Sequence, residues 1–284
     1  LYYPINRNLA RHFSTEEEAR RFGAEMFCEF LADTIEVELS VVIPSVVCLR
    51  RIPYQVPDKP KQDLFKTATD EGFHAEQSLQ FLSELRGQLS LPPDSAAEGP
   101  LFLRRLELQR AAEPNPVYRQ LITVLNGVVT ETRISVELSK FAGDESLADP
   151  VRRVCHSHAQ DEAVHSSQFR ALGKWLWSEF DTDTRFDVSR FLVASTIARS
   201  MPDIERFILL FHRATGRGIR DCERLVCSSC TSELLLGEML RDGAPTLTFL
   251  RALGVDSFLS FESELDEELE RLCGELERRV AGGL

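Results

Sequence analysis

Positive charge is scarce in this chain. Its 33 lysines and arginines face 45 aspartates and glutamates, a formal net charge of -12. Nucleic acid and anionic membrane surfaces both favour a basic face, so neither is an expected partner. Long apolar runs are also missing, and no stretch reaches the ~20 residues that span a bilayer. No secretory signal pattern opens the chain. It begins at Leu1 rather than at methionine, so a preceding segment is expected. The seven cysteines are odd in number and form no paired framework, which suits a reducing, cytoplasmic setting. Cys227-x-x-Cys230 lacks the second pair that a structural zinc would require, so free thiols on a helix are expected. Strand-like alternation is scarce, and no fixed-length repeat is evident.

What is present is ordinary in bulk and helical in pattern. Hydrophobic residues make up 43% and charged residues 27% of 284, enough for one large core. Ser14 or Thr15 can cap a first helix, and Glu16, Glu17 and Glu18 suit the positive end of its dipole. That helix is expected over about 15–50, with a kink or an end near Pro44. Pro53, Pro57 and Pro60 mark a connector to a second helix over about 60–88. A loop through Pro92, Pro93, Gly99 and Pro100 precedes a short helix over about 101–112. Long helices follow over about 117–142 and 150–179, then shorter ones over about 185–200, 203–214, 217–241, 245–253 and 260–280. The pattern predicts an all-α chain in one domain over 1–284. It would be a ferritin-like four-helix bundle over about 15–180, with additional C-terminal helices over about 185–280.

Two segments carry chemistry. Glu71-x-x-His74 and Glu162-x-x-His165 each place a carboxylate and an imidazole about 60° apart on a helix, so both can reach one point. A di-metal carboxylate bundle uses two such motifs and one further Glu from each of two other helices. On the third long helix, Glu131 shares an inward stripe with Val124, Val128, Ser135 and Leu138. Glu137, between Arg133 and Lys140, reads as an exposed ion-pair face, with Arg133 at the surface. The first helix offers Glu36, beside Ala32, Ser40 and Ile43, or Glu38, beside Thr34, Val41 and Val42; periodicity does not decide between them. His158 falls with Glu162 and His165 inside a ~60° arc, giving H-x-x-x-E-x-x-H. His156 lies off that stripe, and His12 and His212 are isolated. Four clustered carboxylates would repel without metal, and two divalent ions balance them. Mixed carboxylate and imidazole ligation suits iron, and manganese less often.

With these spacings the chain resembles the non-haem diiron arylamine N-oxygenases, the p-aminobenzoate N-oxygenase (AurF-like, CmlI-like) group. Glu36 lies 35 residues before Glu71, Glu131 lies 60 after it, and His158 lies 27 after Glu131. The third histidine is what marks the group, and the resemblance spans 36 to 165. It implies Glu36 as the ligand from the first helix, and so a metal set of Glu36, Glu71, His74, Glu131, His158, Glu162 and His165. Glu36, Glu71 and His74 would serve mainly one metal, and Glu131, His158, Glu162 and His165 the other side. It also implies two iron ions, O2 as co-substrate, an electron-donating reductase and a homodimer. The implied reaction takes a small or carrier-tethered aromatic amine through hydroxylamine and nitroso to nitro, in antibiotic or other natural-product biosynthesis.

Ala32 and Leu138, one turn from ligands, are expected to line the substrate pocket, with Phe141 closing it. No arginine stands out as a partner for a substrate carboxylate. Two other readings share the metal set. One is a diiron oxygenase or oxidase acting on carbon or an aliphatic amine. The other is a ferritin- or rubrerythrin-like protein handling iron or peroxide. A radical-forming reductase subunit would need a tyrosine beside a ligand, and Tyr2, Tyr3, Tyr54 and Tyr118 all lie away from them.

Overall fold

The computed structural model describes residues 8–91, 99–145 and 147–281. The turn expected at Pro92 and Pro93, and Tyr2 and Tyr3, lie outside the described residues. Among the described residues every regular element is helical, as the pattern predicts.

Helix α1 spans Glu16–Val37. Thr15 is extended and its side chain accepts a hydrogen bond from the Glu18 N–H, so the cap read in the sequence is in place. Helical structure runs on to Cys48, so Pro44 sits four residues from its end. It runs through a π-helical turn, Glu38–Val42, straight into α2, Ile43–Cys48. The wide turn sits immediately before Pro44, whose missing N–H could not have continued the regular ladder.

Helix α3 spans Asp58–Gln88, the short α4 Leu101–Ala112, α5 Pro116–Gly143 and α6 Asp149–Glu179. Asn115 caps α5 by accepting from the Val117 N–H at 2.9 Å, with Pro116 at the first helical position. The α5–α6 pair is the most extensive contact in the fold, and α1 packs mainly on α3. Two glycines allow close helix approach. A Cβ on Gly127 of α5 would stand 2.3 Å from the Ser45 hydroxyl of α2, and one on Gly173 of α6 would stand 2.9 Å from the Phe249 ring.

The remaining helices are α7 Thr182–Ser200, α8 Ile204–Thr215, α9 Ile219–Ser229, α10 Ser232–Leu253 and α11 Phe261–Ala281. Two boundaries here differ from expectation. The stretch 217–241 is divided at Cys230 and Thr231, where Thr231 is extended and caps α10 by accepting from the Leu234 N–H. Pro245 does not open a new helix but lies inside α10. The buried stripe of Leu235, Met239, Leu247 and Leu250 continues past it, so burial outweighs the lost hydrogen bond. Buried apolar residues form a connected core from the first helix to the last. All seven cysteines are unpaired thiols, and burial raises Cys227 to about 11, a thiol of low reactivity.

Candidate metal centre

Three long helices aim side chains at one point inside the bundle. Glu71 and His74 come from α3, Glu131 from α5, and His158, Glu162 and His165 from α6; all six are buried. The α1–α2 segment supplies Glu38, not Glu36. Positions two apart on a helix differ by about 200°, so only one of the two can face inward. The buried stripe runs Phe27, Leu31, Thr34, Glu38, Val41, Ser45, and Glu38 lies on it with no solvent exposure. Glu36 points outward and accepts from the Ser40 hydroxyl at 3.3 Å. The spacing that pointed to Glu36 is therefore corrected by two positions. Carrying the stripe back to Phe27 and Leu31, rather than judging one turn at a time, is the signal that favours Glu38.

The donor atoms fall into two overlapping groups, each within a 4.8 Å span. One joins Glu38, Glu71, His74, His158 and Glu162; the other joins Glu71, Glu131, Glu162 and His165. Glu71 and Glu162 belong to both. His158 stands with His74 and Glu38 rather than with Glu131, a second departure from the sequence reading. Its Nε2 is 3.0 Å from Glu162 Oε1 and 3.9 Å from Glu38 Oε1, and its ring centroid is 3.9 Å from that of His74. His74 Nδ1 lies 2.9 Å from Glu71 and 3.1 Å from Glu162. His165 Nδ1 lies 2.7 Å from Glu71.

These residues fit a pair of cations. Both carboxylate oxygens of Glu38 and both of Glu131 are buried with no hydrogen-bond donor, a costly state unless a cation or a proton is shared. Without metal, protons take that role. Burial first, then the neighbouring carboxylates, pushes Glu38 and Glu131 well above the usual range. Burial also acts to raise Glu162, but the three histidines donate to it and hold it well below. Burial would lower His74 and His165, yet hydrogen bonds to Glu162 and Glu71 hold each up to about 10. Among the described residues no cysteine belongs to such a cluster.

Asp70 and Asp161 received no role from the sequence alone, although each directly precedes the Glu of an E-x-x-H. In the fold they cross over. Asp161 Oδ2 is 3.4 Å from His74 Nε2, and Asp70 Oδ2 is 3.4 Å from His165 Nε2. This reciprocal pairing is that of two antiparallel helices. Each imidazole thus turns Nδ1 to the cluster and Nε2 to a partly exposed carboxylate that fixes its orientation. Asp161→Asn or Asp70→Asn is expected to weaken metal binding by about 10–100-fold, read by competition with a chelator.

A cavity of about 560 Å³ begins one helical turn from the cluster. Its inner end is formed by Thr34 and Val37, just before Glu38, and by Ile134, just after Glu131. Phe141 is among its lining residues. Ala32 and Leu138 do not; Leu138 is buried in the core and Ala32 packs half-buried against it. Arg133 and Glu137 are not a surface pair. Both are buried on the cavity wall, with Arg133 bonded to Glu137 at 2.5 Å and to Asp242 of α10 at 3.4 Å. The local charge pattern reads as solvated because the covering helix is more than a hundred residues away in sequence.

No protein-family model matches the chain. It is 23% identical over 205 residues to the 4-aminobenzoate N-oxygenase of Streptomyces thioluteus, a match covering 71% of this chain and 59% of that enzyme. No helix among the described residues is long and apolar enough to cross a membrane. The chain is thus an all-α helical bundle with a buried carboxylate–histidine cluster able to hold metal ions, and a distant relative of a 4-aminobenzoate N-oxygenase.

Proposed function

We propose that this chain is a diiron oxygenase that oxidises the amino group of an aromatic amine, through hydroxylamine and nitroso, to a nitro group. The observation that carries the reading is a seven-residue carboxylate–imidazole cluster with an aromatic-lined cavity ending one turn from it. Glu38, His74 and His158 would hold one iron, Glu131 and His165 the other, with Glu71 and Glu162 shared. When bound, the irons supply O2 activation and electron storage.

The rest falls to the chain's own side chains. Thr34, Val37 and Ile134 form a largely apolar inner end next to the carboxylates, where a seated amine would displace water from around its nitrogen. Phe30 and Phe141, with centroids 4.6 Å apart, add an aromatic wall farther out along the cavity. An arylamine lying along that wall, with its amino end at Thr34, Val37 and Ile134, would be oriented toward the cluster before reaction. Forming the first N–O bond, amine to hydroxylamine, consumes one O2, two electrons and two protons and releases one water. An external reductase would supply the electrons. An iron-storage or peroxide-handling role has no use for a cavity of this size and lining beside the cluster.

The test is to load the protein with Fe(II), supply a chemical reductant and ¹⁸O2, and screen arylamines by mass spectrometry. The expected product carries ¹⁸O on nitrogen. Oxygen consumption with no N-oxygenated product from any amine would overturn the reading and leave only a metal site.

A further inference from the structure

The cavity is far longer than a single-ring aminobenzoate. Its α1 wall runs from Glu16 at the exposed mouth to Val37 at the inner end, about 32 Å at the α-helical rise. Three zones follow one another outward from the cluster. Thr34, Val37 and Ile134 form the inner end. A belt of ion pairs comes next. Phe27 and Phe141 lie on its outer side, and Phe30, between Glu29 and Asp33 on α1, joins them in an aromatic cuff with centroids 4.6–6.0 Å apart.

The belt argues against an anionic ligand. Eight carboxylates and four arginines line the whole cavity. Three of those arginines are already bound to wall carboxylates: Arg20 to Glu16, Arg133 to Glu137 and Asp242, and Arg206 to Glu29 and Asp33. The fourth, Arg199, sits 4.0 Å over the Phe102 ring. Further cations stand behind the wall, Arg86 near Glu29 and Lys140 and Arg241 near Asp242, so positive and negative charge nearly balance. A ligand carboxylate would have to compete with wall carboxylates for these arginines. An amide or hydroxyl could instead hydrogen-bond to the paired groups without breaking them.

We infer that the cavity takes an extended arylamine without a carboxylate, with its aminoaryl end at Thr34, Val37 and Ile134, an uncharged hydrogen-bonding middle in the belt, and an apolar end in the phenylalanine cuff. The orientation of the amine rests on the oxygenase reading above; the charge and length of the ligand rest on the cavity alone.

Calorimetric titration of the protein as isolated, kept oxygen-free, tests this with 4-aminobenzoate, 4-aminobenzamide and its N-hexyl and N-decyl derivatives. The amide is expected to bind more tightly than the carboxylate. The N-hexyl amide should exceed 4-aminobenzoate by at least about tenfold, since each buried methylene adds to affinity. The N-decyl amide should be tighter still. Gly23 lines the outer cavity, and a Cβ there meets nothing within 4 Å. Gly23→Trp should therefore fold and should cancel the gain from hexyl to decyl. A carboxylate that binds as tightly as the N-hexyl amide, or a decyl gain that survives Gly23→Trp, overturns the inference. Binding is read without turnover. Extended amides that bind as expected but are never oxidised would sink the N-oxygenase reading and leave this one standing.

Discussion

Replacing Glu38 with glutamine should lower by at least half the iron retained after reconstitution with Fe(II), while Glu36→Gln should leave that retention unchanged. Glu38 carries two buried oxygens without a hydrogen-bond donor, and its group of donor atoms lies within 4.8 Å. An amide there keeps the size but loses the negative charge that offsets a cation. Glu36 is exposed and accepts a hydrogen bond from Ser40. Metal analysis after reconstitution separates the two. A second readout rules out a mere folding defect. Burial raises Glu38 well above its ordinary range, so the metal-free fold is strained by this carboxylate. Glu38→Gln should accordingly raise the melting temperature of the metal-free protein even as it lowers metal retention. Iron loss from the Glu36 variant, with retention in the Glu38 variant, would reverse the assignment.

Removing the metal should make stability fall as pH rises from about 6.5 to 10, and restoring it should flatten the curve. His74 and His165 have folded values of about 10, above their ordinary 6.5. The protons they hold stabilise the metal-free fold fully below pH 6.5, and that contribution is lost as pH climbs through 10. Glu38 and Glu131, also raised, act in the same direction: ionising them within the fold costs stability. Glu162 is held low, so its contribution is lost only on acidification and does not change in this window. Metal replaces the protons on these groups, so the loaded protein has fewer left to lose. Calorimetric scans across pH, with and without a chelator, test the point. Parallel curves would mean the cluster does not bind the added metal.

Much of this site is legible in the linear chain because helix periodicity is a local property. The two E-x-x-H motifs, Glu131 on its apolar stripe and His158 one turn before Glu162 can all be read from spacing. The long helices follow from the same period and from a cap such as Thr15. Periodicity does not decide Glu36 against Glu38, because both faces of that helix carry apolar residues over a single turn, and the resemblance pointed to Glu36, which the fold corrects to Glu38. Only the longer stripe and its burial separate them.

What the residues alone determined is which side chains share a face and what metal chemistry those faces can support. What the face meets was decided by tertiary structure. Antiparallel packing of α3 on α6 pairs Asp70 with His165 and Asp161 with His74. Cover by α10 turns Arg133 and Glu137 from an apparent surface pair into a buried wall. The length of α1, the second half of α5, the end of α7, the start of α8 and the middle of α10 together enclose the cavity, which no single stretch of sequence specifies. The physical reason is common to all three. Periodicity acts within one helix, whereas burial, charge pairing and enclosed volume depend on partners tens to hundreds of residues away.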